Sequence, residues 1–149
     1  MRIKFELVLL IAWLGCLGCA GYLVAPVLFA HLPKMTAGDL AGKLFHYVSY
    51  IGLAATVGLL LSGCLNERCG FIKSARGRWL LFAGALTLIN EFLITPVIVA
   101  LKTNTHHWLP ERFGDSFAAW HGVSQTVYLL TFICLLALAW SWAQWLGKR

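Results

Sequence analysis

The stretch Leu88-Ile89-Asn90-Glu91-Phe92-Leu93-Ile94-Thr95-Pro96 lies in the middle of a long apolar run and decides how the chain is interpreted. The run covers residues 79–101, close to the ~20 residues that a helix needs to cross the hydrocarbon core of a bilayer. Asn90 and Glu91 would then lie near the bilayer midplane. Because an acidic side chain at that depth costs about 2.5–3.5 kcal/mol on insertion scales, we expect Glu91 to point at other helices, at water or at a ligand. The stretch therefore predicts a polar site inside a membrane bundle.

Prolines interrupt two of the apolar runs. Pro96 cannot donate a hydrogen bond to the carbonyl group of Phe92, so a bare acceptor is expected one turn beyond Glu91. Pro26 leaves the carbonyl group of Tyr22 without a donor in the same way, and we expect a kink there. The first run also carries a ridge of small residues that lets a neighbouring helix approach closely, formed by Gly15, Gly18, Cys19, Gly21 and Ala25.

The composition is that of an integral membrane protein. The 149-residue chain is 60% hydrophobic and only 12% charged, and its mean hydropathy of +0.76 excludes an ordinary soluble domain and a disordered chain. Four apolar runs, at about residues 5–30, 45–65, 79–101 and 117–146, are each near or above the length of one span, and the predicted spans are residues 5–30, 37–65, 79–101 and 116–146. We predict a single all-α domain over residues 1–149, an antiparallel up-down bundle of four transmembrane helices.

The basic residues that flank the runs are distributed unevenly between the two sides. One side holds Arg2, Lys4, Arg68, Lys73, Arg76, Arg78, Lys148 and Arg149, and the other holds Lys34, Lys43, Lys102 and Arg112. The positive-inside rule makes the first side cytoplasmic and places both termini there. The net charge of +6 is then explained by topology and by anionic lipid, so the lipid bilayer is the expected partner and nucleic acid is not.

Two helix starts are marked by capping residues. Thr36, followed three residues later by Asp39, forms a capping-box pattern, which predicts that the second helix begins outside the membrane at about Ala37. Asp115 or Ser116 can cap the fourth helix.

Polar side chains recur at helical spacing in the second and third runs, so each set shares one face of its helix. The residues are His46, Ser49 and Tyr50 in the second run, and Thr87, Glu91 and Thr95 with Asn90 beside them in the third. Two interpretations of Glu91 stay open: a protonated acid that hydrogen-bonds a neighbouring helix, or a group that binds a ligand, an ion or a proton. His31, on the same external side, either hydrogen-bonds a loop or ligates a metal.

The fourth run carries one polar stripe that descends from the external surface toward the depth of Glu91. Its members are His121, Ser124, Gln125 and Tyr128. Interhelical hydrogen bonding could explain one such residue, whereas four in register favour a functional pocket. In the external loop, His106-His107 could both reach a metal, although an adjacent pair is a weak indication, and Trp108 fits an interfacial anchor.

Short, mostly apolar motifs lie at residues 21–29, 37–45 and 120–124, together with Asn90 and Pro96. These segments resemble the bacterial membrane family known as domain of unknown function 4149, and the eukaryotic transmembrane protein 205 group is similar as well. The matching positions are Pro26, Phe29, Gly38, Phe45, Asn90, Pro96, His121 and Ser124. The resemblance implies a four-helix protein of the bacterial inner membrane with no established reaction. Glu91 and the adjacent histidines are not part of the pattern.

A more distant resemblance links the first run, ending in Pro26 and Phe29, to the membrane copper-resistance D family and to the haem-binding oxidases of HemJ type. Those oxidases are expected to carry a histidine early in the first span as a haem ligand. Residues 5–30 of this chain contain no histidine, which speaks against a catalytic haem.

Three functional hypotheses follow from the sequence. The first is a binding or transport protein, possible as a homodimer, whose polar pocket opens to the external, periplasmic side and takes a small ligand, a metal or a proton. Its predicted ligand-binding residues are Tyr50, Asn90, Glu91, Ser124, Gln125 and Tyr128, and its predicted metal ligands are His31, His46 and His121. The second is a haem or copper redox protein with His121 and either His31 or His46 as ligands. The third is a structural or assembly protein without a ligand. No pattern for nucleophilic hydrolysis is present, so an enzyme is not favoured.

Overall fold

The computed structural model describes residues 2–67 and 69–147, and this part of the chain is helical throughout, with short connections. Four helices are long and apolar enough to cross a membrane. We call them the first to fourth spans, at Ile3–His31, Lys34–Leu65, Ala75–Thr103 and Phe117–Trp145. Two short helices, Cys69–Lys73 and Trp108–Phe113, lie in the connections. Of the basic residues used for orientation, the side chains of Arg2, Arg68, Lys148 and Arg149 lie outside the described part.

The four spans pack in a ring in chain order, and the fourth also contacts the first. The core is apolar, with Trp13, Leu59, Leu80, Leu135 and Leu138 fully or almost fully buried. The two ends of the bundle differ in what they contain. The connections at residues 32–33 and 104–116 lie at one end, which we call the hairpin end. The first residues of the chain and the connection around residue 74 lie at the other, which we call the terminal end.

The second helix begins earlier than the capping-box pattern predicts. It starts at Lys34 rather than at Ala37, directly after Pro33, whose carbonyl group accepts the N–H of Ala37 at 2.9 Å. The capping-box prediction is therefore wrong, because the proline already supplies the first helical acceptor. Asp39 instead pairs with Lys102 at the end of the third span.

Serine side chains cap the helices of the third and fourth spans. Ser74 Oγ accepts the N–H of Gly77 at 3.1 Å, and Ser116 Oγ accepts the N–H of Ala119 at 3.3 Å. The prediction of a cap at Ser116 is confirmed.

The first and third spans each contain a five-residue π turn just before a proline. Residues Ala20–Val24 form the first turn and Asn90–Ile94 form the second. In the third span the N–H of Thr95 reaches back five residues to the carbonyl group of Asn90, and Thr95 Oγ1 donates to the same oxygen at 2.8 Å. Each proline thus follows a widened turn. The kink at Pro26 and the bare carbonyl group of Phe92 stay predictions.

The two turns belong to ten-residue segments with similar sequences. Residues 21–30 read GYLVAPVLFA and residues 91–100 read EFLITPVIVA, with the same Leu, Pro, Val and Ala at four positions. The second and fourth spans also share a motif, HYVS at residues 46–49 and HGVS at residues 121–124. We therefore describe the chain as two related hairpins, the first made of the first and second spans and the second made of the third and fourth spans.

Candidate functional site

Glu91 is buried inside the bundle, in the π turn of the third span. The residue is 6% exposed, and its Oε1 atom contacts Nδ1 of His46 in the second span. At 1.5 Å per residue, Glu91 and His46 each lie about 18 Å from the hairpin end of their spans, so they meet at one level. The expectation that Glu91 points at another helix is confirmed.

His46 connects this buried carboxylate to the outer face of the bundle. Its side chain is 49% exposed, while Nδ1 is held by Glu91. Tyr50, one turn further on, lies edge-on to the imidazole at 4.7 Å between ring centroids, and Phe92 lies edge-on to Tyr50 at 6.5 Å. Because one ring nitrogen is engaged by the carboxylate, the other, Nε2, is the atom at which His46 can exchange a proton with its surroundings.

Asn90 extends the polar layer to the fourth span. Its Oδ1 atom accepts a hydrogen bond from Ser124 Oγ at 2.9 Å. Asn90 is adjacent to Glu91 in the same π turn, so the turn supplies polar contacts to the spans on both of its sides. The structure thus brings together five of the predicted site residues, namely His46, Tyr50, Asn90, Glu91 and Ser124.

Tyr128, also predicted to line the pocket, contacts the first span instead. Its hydroxyl group donates to the backbone carbonyl group of Leu17 in the first span, and its ring packs edge-on against Phe45 at 4.9 Å. A Cβ atom on Gly21 would lie only 2.6 Å from the ring. Tyr128 therefore fills the space beside the first π turn and ties the fourth span to the first.

The remaining residues of the fourth-span stripe lie on the outside. His121 and Gln125 are both exposed and contact each other at 3.1 Å between the His121 Nε2 and Gln125 Nε2 atoms, and Phe117 stacks on the imidazole at 5.8 Å. The stripe is therefore divided between an inner pair, Ser124 and Tyr128, and an outer pair.

The three predicted metal ligands lie in different surroundings. His46 contacts a carboxylate, His121 contacts an amide, and His31 is exposed at the end of the first span. Within residues 2–67 and 69–147, no group of three or more His, Cys, Asp and Glu side chains is placed to hold a metal ion.

A second His–Glu pair lies in the loop at the hairpin end and is exposed. His106 Nε2 is 2.7 Å from Glu111 Oε1, and His107 Nδ1 accepts the N–H of Leu109 at 3.3 Å, which caps the short helix Trp108–Phe113. An open surface depression of about 410 Å³ lies beside this pair. The adjacent histidines thus have separate local roles.

Sequence reasoning missed a polar cluster at the terminal end. Glu6 is 4% exposed and accepts a hydrogen bond from Ser62 Oγ in the second span. Arg76 is also buried, with its guanidinium carbon 4.0 Å from the ring centroid of Trp145 and 5.3 Å from that of Trp142. Arg76 had been interpreted only as a topology signal. The available signal was a single acid, Glu6, directly before an uninterrupted apolar run.

The fold and the site define a small membrane protein with four apolar helices and a buried His–Glu contact. The chain belongs to the family described as a domain of unknown function, DUF4149, whose model matches residues 8–107. The matched part contains His46 and Glu91, whereas the fourth span lies beyond it. No curated protein and no solved structure matches the chain. The distant resemblance to the copper-resistance D and HemJ-type proteins stays a prediction.

Proposed function

We propose that this protein binds and exchanges a proton at the His46–Glu91 pair, and that it does so from the external side of the bacterial inner membrane. The observation that carries the proposal is a carboxyl group buried in an apolar bundle and in contact with a half-exposed imidazole. An ionisable residue inside a membrane span is costly to keep, and such residues mark ion and proton pathways.

The packing around the pair favours a proton over a larger solute. Surface depressions of about 410 and 380 Å³ lie elsewhere, beside the external loop and beside Arg78, Trp79 and Phe82. Glu91 is buried and contacts His46, whose imidazole is half-exposed. A proton can pass through an imidazole, from one ring nitrogen to the other, without any opening of the bundle.

The direction of access follows from the distribution of basic residues. Lys34, Lys43, Lys102 and Arg112 belong to the hairpin half, whereas the more numerous Lys and Arg residues belong to the terminal half. This asymmetry supports an external hairpin end and cytoplasmic termini. The His46–Glu91 pair, slightly nearer the hairpin end in both spans, is then reached from outside.

The test is infrared difference spectroscopy of the purified protein in lipid while the external pH is stepped. We expect a carbonyl band of a protonated carboxylic acid that changes with pH, that Glu91→Gln removes and that Glu111→Gln keeps. Glu111 is a matched control because it pairs with a histidine on the exposed loop. If Glu91→Gln leaves the pH-dependent carboxyl absorption unchanged, the proposal is wrong; a separate band that Glu6→Gln removes belongs to Glu6.

A second measurement distinguishes proton exchange from the alternative of a haem or copper redox protein. Elemental analysis and an optical spectrum of the same preparation are recorded for the unmodified protein and for His46→Ala. A stoichiometric metal or a haem band that disappears in the variant would replace proton exchange by ligand chemistry at His46.

A further inference from the structure

We infer that the bundle conducts protons between its two ends, from the His46–Glu91 pair to a second buried acid, Glu6. The inference rests on the proposed function and adds to it a second site and the passage that joins the two.

Glu6 has the properties of a second proton site. It is 4% exposed, although it lies only about 5 Å from the terminal end of the first span, where a carboxylate could reach water. Ser62, at the same level of the second span, donates a hydrogen bond to Glu6 Oε1. Among the described side chains, the charged groups of this region are the exposed Lys4, Lys73 and Arg78 and the buried Arg76. The fourth span contributes Trp142 and Trp145.

Three of the buried polar side chains between the two acids lie at successive levels of the bundle. Measured from the terminal end at 1.5 Å per residue, Thr56 lies at about 14 Å, Thr87 at about 18 Å, and Ser49 at about 24 Å, level with Glu91. All three are buried. Thr56 Oγ1 donates to the carbonyl group of Gly52 at 2.8 Å, and Thr87 Oγ1 donates to its own helix at 2.9 Å. Each oxygen therefore keeps lone pairs that can accept a second hydrogen bond.

Trp13 supplies a donor at the middle of this series. Its ring is fully buried, and among the described residues its Nε1 is the buried side-chain nitrogen or oxygen atom that has no hydrogen-bond partner. It lies at about 15 Å, between Thr56 and Thr87, and faces Gly52, where a Cβ atom would come within 2.3 Å of Nε1. A buried N–H without a partner is costly. Because the backbone of Gly52 lies against this atom, proton passage requires the second span to move away there, and a water molecule admitted by that movement accepts from Nε1.

The transfer balances without any electron movement. His46 takes a proton at Nε2 from the external side and gives the proton on Nδ1 to Glu91. Before the next transfer the side chain reorients, so that a protonated ring nitrogen again faces Glu91. Glu91 passes a proton through water and hydroxyl groups to Glu6, which releases it at the cytoplasmic end. Each step breaks one N–H or O–H bond and forms another, and the membrane potential or a pH difference supplies the driving force.

The experiment uses the full-length protein in liposomes of phosphatidylcholine and phosphatidylglycerol that contain a pH-sensitive dye. A potassium gradient with valinomycin sets the membrane potential. We expect proton influx well above that of protein-free liposomes, loss of that influx in Glu6→Gln and in Glu91→Gln, and full influx in Glu111→Gln. Influx equal to that of protein-free liposomes, or full influx in Glu6→Gln, would overturn the inference.

Combining this assay with the infrared band distinguishes the two proposals. If the pH-dependent band of Glu91 is present while the unmodified protein does not conduct, proton binding stands and conduction is wrong. If Glu6→Gln fails to fold, as judged by size-exclusion chromatography and thermal unfolding, Trp13→Phe and Ser62→Ala take its place. Trp13→Phe keeps a buried ring and removes only the N–H donor. Lower influx in both variants supports the passage, and unchanged influx in both rejects it.

Discussion

The two hairpins share a π turn before a proline but differ in the side chain that the turn carries. Each pairs a proline-containing span that has a π turn with a span that contains His-X-Val-Ser. At the matching position the first hairpin has Gly21 and the second has Glu91. Glycine there leaves room for the ring of Tyr128, so the first turn is a packing site. Glutamate there meets His46, so the second turn is a polar site.

The histidines show the same division. His46, in the first hairpin, crosses to the acid of the second hairpin, whereas its counterpart His121 is exposed and contacts Gln125. The two hairpins thus share a backbone geometry, whereas the carboxylate–imidazole contact is formed at one of the two matching positions. The following predictions compare the two positions, from the largest expected effect to the smallest.

Glu91→Gly makes the third span resemble the first and should have the largest effect. We expect loss of the pH-dependent carboxyl band and a decrease of about 2–4 kcal/mol in the unfolding free energy, because His46 loses its buried partner and glycine weakens a helix. Detergent titration followed by circular dichroism measures the second quantity. If the band is retained, it does not come from Glu91, and the presence of this acid does not explain the different roles of the two hairpins.

The variants His46→Ala and His121→Ala compare the two histidines directly. Removing His46 leaves a buried carboxyl group without its imidazole, so we expect a decrease of about 2–3 kcal/mol in unfolding free energy and a shifted Glu91 band. His121 is exposed, so its removal should change stability by less than about 0.5 kcal/mol and leave the band in place. Equal effects of the two substitutions would contradict the assignment of the site to His46.

Gly21→Ala tests the packing role of the first π turn. The added Cβ atom would lie 2.6 Å from Cε1 of Tyr128, and we expect overpacking to lower the unfolding free energy by about 1–2 kcal/mol. Gly15→Ala is the matched control on the same span, since nothing lies within 4 Å of its added Cβ atom. If both substitutions stabilise the protein equally, the close contact with Tyr128 is not important.

The sequence predicted the spans well because hydropathy over about 20 residues depends little on local detail. It predicted helix ends less well: Pro33 moved the start of the second helix to Lys34. The burial of Glu91 was predictable from the cost of an acid in lipid. Its pairing with His46 was not, because a π turn inserts a residue and rotates the following helix face by about 100°, and because pairing requires knowing which spans are neighbours.

Ser124→Ala should have the smallest effect, and it tests how far the polar layer extends beyond the acid. The substitution removes the 2.9 Å hydrogen bond to Asn90 Oδ1, and interhelical hydrogen bonds in membranes contribute about 0.6 kcal/mol on average. Ser49→Ala is the control at the corresponding position of the first hairpin, where the π turn has Ala20 in place of Asn90. We expect about 0.6 kcal/mol for Ser124 and less for Ser49, measured by the same titration. A larger effect at Ser49 would mean that the first hairpin also contributes polar contacts at this level, and that the division between a packing turn and a polar turn is less complete than the contacts of Gly21 and Glu91 indicate.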